Sequence, residues 1–158
     1  MRNLIRCLRQ KPNSEDDVLL AGGADPNSRA DDSSFPLFQA AARGHYDAAL
    51  TLLEHGANAN LKVAGGRTTL HAASDVGQAG IVRALLRRGA KPDERDDFGC
   101  TPLMEACLMG YVPIVEALIA AGADVDARDT VQMSALARAR LSDRRDIAHL
   151  LERAGAQK

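Results

Sequence analysis

A leucine recurs every 33 residues along the chain, and a small residue follows it three positions later. The leucines are Leu4, Leu37, Leu70, Leu103 and Leu136, and the small residues are Cys7, Ala40, Ala73, Ala106 and Ala139. A second series with the same period consists of Gly-Ala pairs beginning at Gly23, Gly56, Gly89, Gly122 and Gly155. Because self-similarity at a fixed period of this length is typical of stacked repeats, the pattern predicts one layer per period.

Each period contains two apolar stretches with helical spacing, and residues 99–126 show both. Thr101 is placed to cap a first helix, Pro102 suits its first position, and Gly110 supplies the left-handed residue that ends it. A second helix is predicted to open at Pro113 and to end before Gly122. Its apolar face consists of Ile114, Val115, Leu118 and Ile119. Helices this short fall below the roughly 12 to 15 residues that an isolated helix needs in water, so each layer depends on its neighbours.

Polar segments rich in Gly, Asn and Asp separate each second helix from the next first helix. They cover residues 57–67, 90–100 and 123–133. Their length and composition predict projecting turns.

The period of 33, the run G-x-T-P-L-x-x-A at residues 99–106 and the run G-A-D-V-D at residues 122–126 closely resemble the ankyrin repeat. The resemblance implies an all-α solenoid of stacked helix-turn-helix layers with projecting β-turn or hairpin loops. It covers essentially all of residues 1–158, which are expected to form a single domain. Residues 33–65, 66–98 and 99–131 are predicted to be full repeats, residues 1–32 an N-terminal cap and residues 132–158 a C-terminal cap. The polar last copy suggests a complete protein with capped ends.

The family's T-P-L-H tetrapeptide is altered in every copy. It stands as Phe35-Pro36-Leu37-Phe38, Thr68-Thr69-Leu70-His71, Thr101-Pro102-Leu103-Met104 and Ser134-Ala135-Leu136-Ala137. The resemblance implies that this histidine donates hydrogen bonds to the turn, so only the copy with His71 keeps them. The other three corners are predicted to be less rigid.

Composition and the lack of targeting signals argue against several classes of protein. The chain has 158 residues, a net charge of -1, 3% aromatic residues and no Trp, so it lacks the basic footprint of a nucleic-acid-binding protein. It has neither a signal-peptide h-region nor an apolar run long enough to span a membrane, which predicts a soluble, cytoplasmic protein. Three cysteines without C-x-x-C spacing indicate neither a disulfide framework nor a zinc site. Of the three, Cys100 is predicted to be the reactive one because it lies in a loop.

No motif in the sequence indicates catalysis, a cofactor or a metal. His71 and His45 match structural positions of the family, His55 and His149 are predicted to face solvent, and no H-x-x-x-H pair is present. The acidic clusters at residues 15–17, 31–32 and 93–97 are better explained by a helix start and by turns than by a cation site. A catalytic triad dispersed along the sequence remains an open alternative.

The resemblance implies that the protein binds other proteins on a concave face formed by the turn tips and the exposed side of the first helices. Apolar residues crowd this face in the last two full layers, whereas the first layer carries Asp31, Asp32, Gln39 and Arg43. An exposed apolar group of this size usually marks an interface, although several of its members could instead fill gaps between repeats. We expect an apolar centre at Phe98, Met109 and Met133. The predicted charged rim consists of Glu105, Arg138, Asp97 and Arg67. The predicted partner-binding residues are Arg67, Asp97, Phe98, Glu105, Leu108, Met109, Tyr111, Val131, Met133 and Arg138.

These observations favour a non-catalytic protein that binds one protein partner and is monomeric when free. It would act as a stand-alone inhibitor, for instance a bacterial immunity protein that blocks a toxin or another enzyme, or as a small adaptor. The alternatives are a homo-oligomeric scaffold, which would use the apolar group on itself, and an enzyme. An enzyme should have a deep pocket with converging titratable groups, whereas a binding protein should have a shallow face.

Overall fold

The computed structural model describes residues 23–29 and 33–157. Within them the chain forms eight α-helices and no β-strand. The helices are α1 (Pro36–Ala42), α2 (Tyr46–Glu54), α3 (Thr69–Asp75), α4 (Ala79–Arg87), α5 (Pro102–Met109), α6 (Val112–Ala120), α7 (Ala135–Leu141) and α8 (Arg145–Arg153). Most of the predicted N-terminal cap lies outside the described residues, including Leu4, Cys7, the acidic cluster at 15–17 and the pair Asp31 and Asp32.

The helices pack as a stack of pairs. Within each layer the first helix contacts the second: α1 with α2, α3 with α4, α5 with α6 and α7 with α8. Between layers, α1, α3, α5 and α7 form one row and α2, α4, α6 and α8 form another. This arrangement confirms the predicted all-α solenoid.

The residues predicted to begin and end the helices at residues 99–126 have those roles in the structure. The Thr101 side chain accepts a hydrogen bond from the Met104 amide at 3.4 Å, and Pro102 occupies the first turn of α5. Gly110 ends α5 with φ 90°, a left-handed conformation that costs a glycine little. Helix α6 begins at Val112, one residue before the predicted start, with Pro113 in its first turn.

The 33-residue leucine series forms the centre of the core. Leu37, Leu70, Leu103 and Leu136 are at most 2% exposed, and the alanines three positions later are completely buried. These alanines leave room for the helices of adjacent layers to approach closely. Removing a leucine of this series would leave a cavity in the stack, and replacing a buried leucine by alanine typically costs about 2–5 kcal/mol.

The projecting turns repeat the same hydrogen bonds in each layer. The amides of Val63, Asp96 and Asp129 donate to the carbonyls of Arg67, Cys100 and Met133, which closes each turn. Neighbouring turns are also joined, because Asp97 N donates to Gly65 O at 2.9 Å and Thr130 N donates to Phe98 O at 3.0 Å. Gly66 allows this approach: a Cβ atom there would lie 2.5 Å from Asp97 Oδ1.

A ladder of Asn and Asp side chains, with the same period of 33, was not predicted from the sequence. Asn27, Asn60, Asp93 and Asp126 each accept, through Oδ1, the backbone amide that lies 31 residues further along the chain. The two asparagines also donate to the carbonyls of Gly56 and Gly89. Each rung therefore joins the loop after one second helix to the loop after the next.

His71 lies in the first turn of α3 and connects its layer to the next one. Thr68 N donates to His71 Nδ1 at 3.2 Å, so the ring proton lies on Nε2, which is 3.0 Å from the carbonyl oxygen of Cys100. In the next layer Met104 fills the same position and is completely buried, while in the last layer the Ser134 hydroxyl caps α7 by accepting from Ala137 N. The histidine is therefore structural, as predicted, and the lower rigidity of the other corners stays a prediction.

The His71 site should make stability depend on pH. Burial lowers the pKa of His71 from its ordinary 6.5, and the hydrogen bond to Cys100 offsets this only in part. As the pH falls below 6.5, the unfolded chain takes up a proton before the folded chain does, so the free energy of unfolding decreases by at most ~1.4 kcal/mol per pH unit, until the pH passes the folded pKa. We expect His71→Met, which copies the residue of the next layer, to be less stable by about 1–3 kcal/mol at neutral pH but to lose less stability on acidification. Urea denaturation over a pH series measures both effects, and parallel losses in the two proteins would exclude His71 as their source.

The exposed surface of the last described layer, here called the end face, differs from the corresponding positions of earlier layers. Its residues are Gln132, Arg140, Asp143 and Glu152. Arg140 Nη2 and Glu152 Oε1 lie 2.6 Å apart, at positions where the first described layer carries the buried Ala41 and Leu53. Gln132 and Asp143 keep positive φ angles of 64° and 51°. At the position of Gln132 two earlier layers have Gly66 and Gly99 and the first described layer has Ser33, while at the position of Asp143 the earlier layers have Gly44, Gly77 and Gly110; the next layer covers these glycines.

We expect the end face to prevent end-to-end association. The variant Gln132→Gly/Arg140→Ala/Asp143→Gly/Glu152→Leu restores the residue types of the interior layers and exposes an apolar surface that can be buried against a second copy. Light scattering over a concentration series should show a mass that rises with concentration for the variant and not for the wild type. A variant that has the wild-type mass at every concentration would contradict this role.

Candidate functional site

The structure distributes seven of the ten predicted partner-binding residues over three zones of the concave face. The other three are Asp97, which is exposed next to Phe98, and the partly buried Tyr111 and Met133. Phe98 and Val131, the turn-tip pair, are 70% and 72% exposed on adjacent turns. A helix-end strip lies at the other end of the first helices and consists of Val76, Leu108, Met109 and Leu141. Between them lies a charged band, which consists of Arg67, Glu105, Asp129 and Arg138, and Asp75 contacts Arg67 from the helix-end position that Leu108 and Leu141 occupy in the later layers.

The structure places the three residues of the expected apolar centre, Phe98, Met109 and Met133, at separate positions, and their role in binding a partner stays a prediction. Phe98 precedes α5 and Met109 ends it, and a helix of eight residues is about 12 Å long. Met133 is only partly exposed. The charged residues therefore lie in the middle and the apolar residues at two margins. Val76 and Leu141 belong to the strip, because they occupy the same positions in their layers as Met109 and Leu108.

Tyr111 differs from the other predicted site residues. It is partly buried and packs against the hydrophobic core, and its ring would lie 2.8 Å from a Cβ atom on Gly77 of the preceding layer. Gln78 and Arg144 cover Gly44 and Gly110 in the same way. Its observed contact is therefore packing between layers, and its contact with a partner stays a prediction.

The charged band joins the turns to the first helices. Arg67 Nη2 lies 3.2 Å from Asp75 Oδ2 and 3.7 Å from Glu105 Oε1, and so bridges α3 and α5. Glu105 is half-buried, and this burial raises its pKa despite the nearby guanidinium groups of Arg67 and Arg138. The Nε atoms of Arg67 and Arg138 are buried and have no hydrogen-bond partner among the described residues.

Asp129 organises the last turn. Its Oδ1 accepts the amides of Val131 and Met133 at 2.9 Å, and its Oδ2 lies 2.6 Å from Arg138 Nη2. Burial alone would raise the pKa of Asp129, but the hydrogen bonds from Met133, Arg138 and Val131 outweigh it and hold the pKa below its ordinary value. In the preceding turn, Asp96 accepts the amides of Phe98 and Cys100. Carboxylates therefore fix the backbone of both turns that carry the turn-tip pair.

The prediction that Cys100 is a reactive thiol is wrong. The residue is 8% exposed, and its sulfur accepts a hydrogen bond from Arg138 Nη2 at 3.0 Å. Burial raises the pKa of the Cys100 thiol and raises that of Cys107 to about 12, so both thiols are neutral at physiological pH. No motif in the sequence indicates that Arg138 of the next layer covers the sulfur.

The remaining chemical candidates have structural roles where the structure describes them. In the acidic cluster at 93–97, Asp93 is a rung of the ladder, Asp96 binds turn amides, and Glu94 lies 2.8 Å from Lys62 Nζ. His55 and His149 are exposed, as predicted, whereas His45 is partly buried. Within residues 23–29 and 33–157, no three His, Cys, Asp or Glu side chains are grouped as metal ligands, and no helix is long and apolar enough to cross a membrane.

Removing the Asp129 carboxylate should loosen the last turn. We expect Asp129→Ala to lower the free energy of unfolding by about 2–3 kcal/mol, because two turn amides and Arg138 lose a charged acceptor. The matched control Asp97→Ala removes an exposed carboxylate from the neighbouring turn and should change stability by less than about 0.5 kcal/mol. Chemical denaturation of both variants tests the difference, and an equal effect of the two would show that Asp129 has no special role.

Comparison with known proteins agrees with this architecture. A family model described as ankyrin repeats (3 copies) matches residues 17–96 and 77–158. Comparison with curated proteins finds no match. Ankyrin repeats are generally modules of protein–protein interaction and generally have no catalytic activity. The repeat period, the stacked helix pairs and the family match together show that the chain belongs to the ankyrin-repeat family.

Proposed function

We propose that this ankyrin-repeat protein binds one protein partner on its concave face and acts without catalysis. In this proposal the free protein is a cytoplasmic monomer that needs no cofactor and contacts neither nucleic acid nor membrane. It works as a stand-alone inhibitor, for instance an immunity protein that occupies the active site of a toxin, or as a small adaptor.

The exposure of large apolar side chains on this face carries the proposal. Phe98, Val131 and Leu141 are each at least 70% exposed, and Leu108, Met109 and Val76 add to them. With one exception, Tyr46, all large apolar side chains exposed in the described part of the chain belong to the turn-tip pair or the helix-end strip. Exposed apolar groups lower solubility, and aromatic and methionine side chains are frequent anchors of protein interfaces.

The described residues form a cleft whose charged groups contact one another. A shallow cleft beside the turns is lined by Lys62, Lys91, Pro92, Asp93, Glu94 and Arg95. Its charged groups are engaged with one another, since Glu94 pairs with both Lys62 and Lys91. The other carboxylate of the cleft, Asp93, accepts the backbone amide of Asp124, so both carboxylates have partners within the chain.

A photocrosslinking experiment tests the proposal. The photoreactive residue benzoylphenylalanine is placed at Phe98 in one variant and at Glu116, on the exposed side of α6, in a matched control. After irradiation in cells or lysate of the source organism, we expect the Phe98 variant to form one discrete adduct with a different protein and the Glu116 control to form none. Mass spectrometry then identifies the partner.

Other outcomes separate the alternatives. An adduct of the chain with itself, together with a doubled mass in light scattering, would favour the homo-oligomeric scaffold. Equal adducts from both positions would remove the concave face as the specific site. For a partner that is an enzyme or toxin, loss of its activity on addition of this protein would distinguish an inhibitor from an adaptor.

A further inference from the structure

Glu105 occupies the centre of the concave face but lacks a strong partner. Its side chain is 16% exposed, and its nearest cation, Arg67 Nη2, lies 3.7 Å away, beyond hydrogen-bond distance. No hydrogen bond to its carboxylate comes from any described residue. Arg67 instead donates to Asp75 and Arg138 donates to Asp129. The carboxylate can therefore still accept hydrogen bonds from a molecule that docks on this face.

The charges around Glu105 favour a cation over an anion. Arg67 and Arg138 are its two neighbouring guanidinium groups, and each already contacts another carboxylate. The acidic neighbours are Asp75, Asp96 and Asp129, so the surroundings carry four carboxylates, with Glu105 itself, against two cations. An incoming anion would meet this net negative charge, whereas an incoming cation would be attracted by it and would gain a hydrogen-bond acceptor.

The proposed partner-binding function is the basis of this inference, and the structure adds the chemistry of the partner. We infer that the partner presents a lysine or arginine side chain to Glu105, from a segment that carries apolar side chains on either side of it. The apolar groups on one side contact the turn-tip pair, and those on the other contact the helix-end strip. The segment thus matches the order of zones along the first helices: apolar, charged, apolar.

The arrangement of charged and apolar zones on the concave face limits which kind of segment can bind there. An entirely apolar segment would bury Glu105 without a donor, and an acidic segment would place like charges together, both of which are unfavourable. A basic side chain with apolar neighbours satisfies the carboxylate and covers both apolar margins.

Selection from a displayed library of random peptides tests the inference even while the natural partner is unidentified. The wild-type protein is the bait, and the enriched peptides are then synthesised and their affinities measured by fluorescence polarisation. We expect enrichment of sequences in which Lys or Arg lies between apolar residues. Glu105→Gln should weaken their binding about tenfold or more, since a close charge pair is lost. The control Glu116→Gln, an equal change of charge on the exposed side of α6, should leave it unchanged.

Acidification provides a second readout. Glu105 faces Arg67 and Asp75 from the preceding layer and Asp96 from its own turn. From the following layer it faces Arg138 of α7, which is paired with Asp129. Since its pKa is raised, protonation should weaken binding of a His-free basic peptide at a higher pH than an ordinary glutamate would. Glu105→Gln should remove that part of the pH dependence.

The outcomes separate this inference from the proposed function. Peptides rich in Asp or Glu, or equal affinities for wild type and Glu105→Gln, would overturn the role of Glu105. If Phe98→Ala/Val131→Ala nevertheless abolished binding, the concave face would stand as the binding site with a different occupant. Binding that resisted both sets of variants, each shown to be folded by circular dichroism, would overturn the proposed site as well.

Discussion

Close packing between layers is the constraint on which the rest of this structure depends. Each helix in the described part of the chain has only seven to nine residues, too few to be stable alone, so the buried leucine and alanine series of one layer must meet the next layer closely. That requirement explains the alanine three residues after each of Leu37, Leu70, Leu103 and Leu136. It also explains the glycines against which Gln78, Tyr111 and Arg144 pack. It also explains the low aromatic content, because a large ring at these positions would hold the layers apart.

Polar contacts fix the position of each layer relative to the next. The Asn and Asp ladder at 27, 60, 93 and 126 joins the loops after the second helices, while the turn amides join at Gly65 and Phe98. Both sets connect residues 31 or 32 positions apart, so neither can form if one layer slips relative to the next. A single hydrogen bond contributes only about 0.5–1.5 kcal/mol to stability, but a slipped layer would lose the bonds of both sets together, which makes a slipped stack unfavourable.

The fold was predictable because its signals are local and repeated: a capping Thr, a Pro in the first turn and a Gly at the helix end recur at fixed spacing. The ladder could have been predicted in the same way, because Asn27, Asn60, Asp93 and Asp126 have the same 33-residue spacing as the leucines. The layout of the site was less predictable, because it depends on contacts between layers that no spacing specifies. Arg138 covers Cys100 from 38 residues away, and Arg67 reaches across to Glu105, so the expected charged rim became a central band.

Only residues that do not pack between layers can vary to determine which partner an ankyrin-repeat protein binds. Packing determines the residue at the leucine, alanine and glycine positions, so each layer leaves only a few side chains on the concave face. At the position of Arg67 the other layers carry Ser34, Cys100 and Met133, and at the position of Glu105 they carry Gln39, Ala72 and Arg138. The layers thus share a backbone but differ in charge and polarity at equivalent sites. These differences between layers determine the binding surface. A few exposed side chains, and not the fold, therefore determine which partner binds.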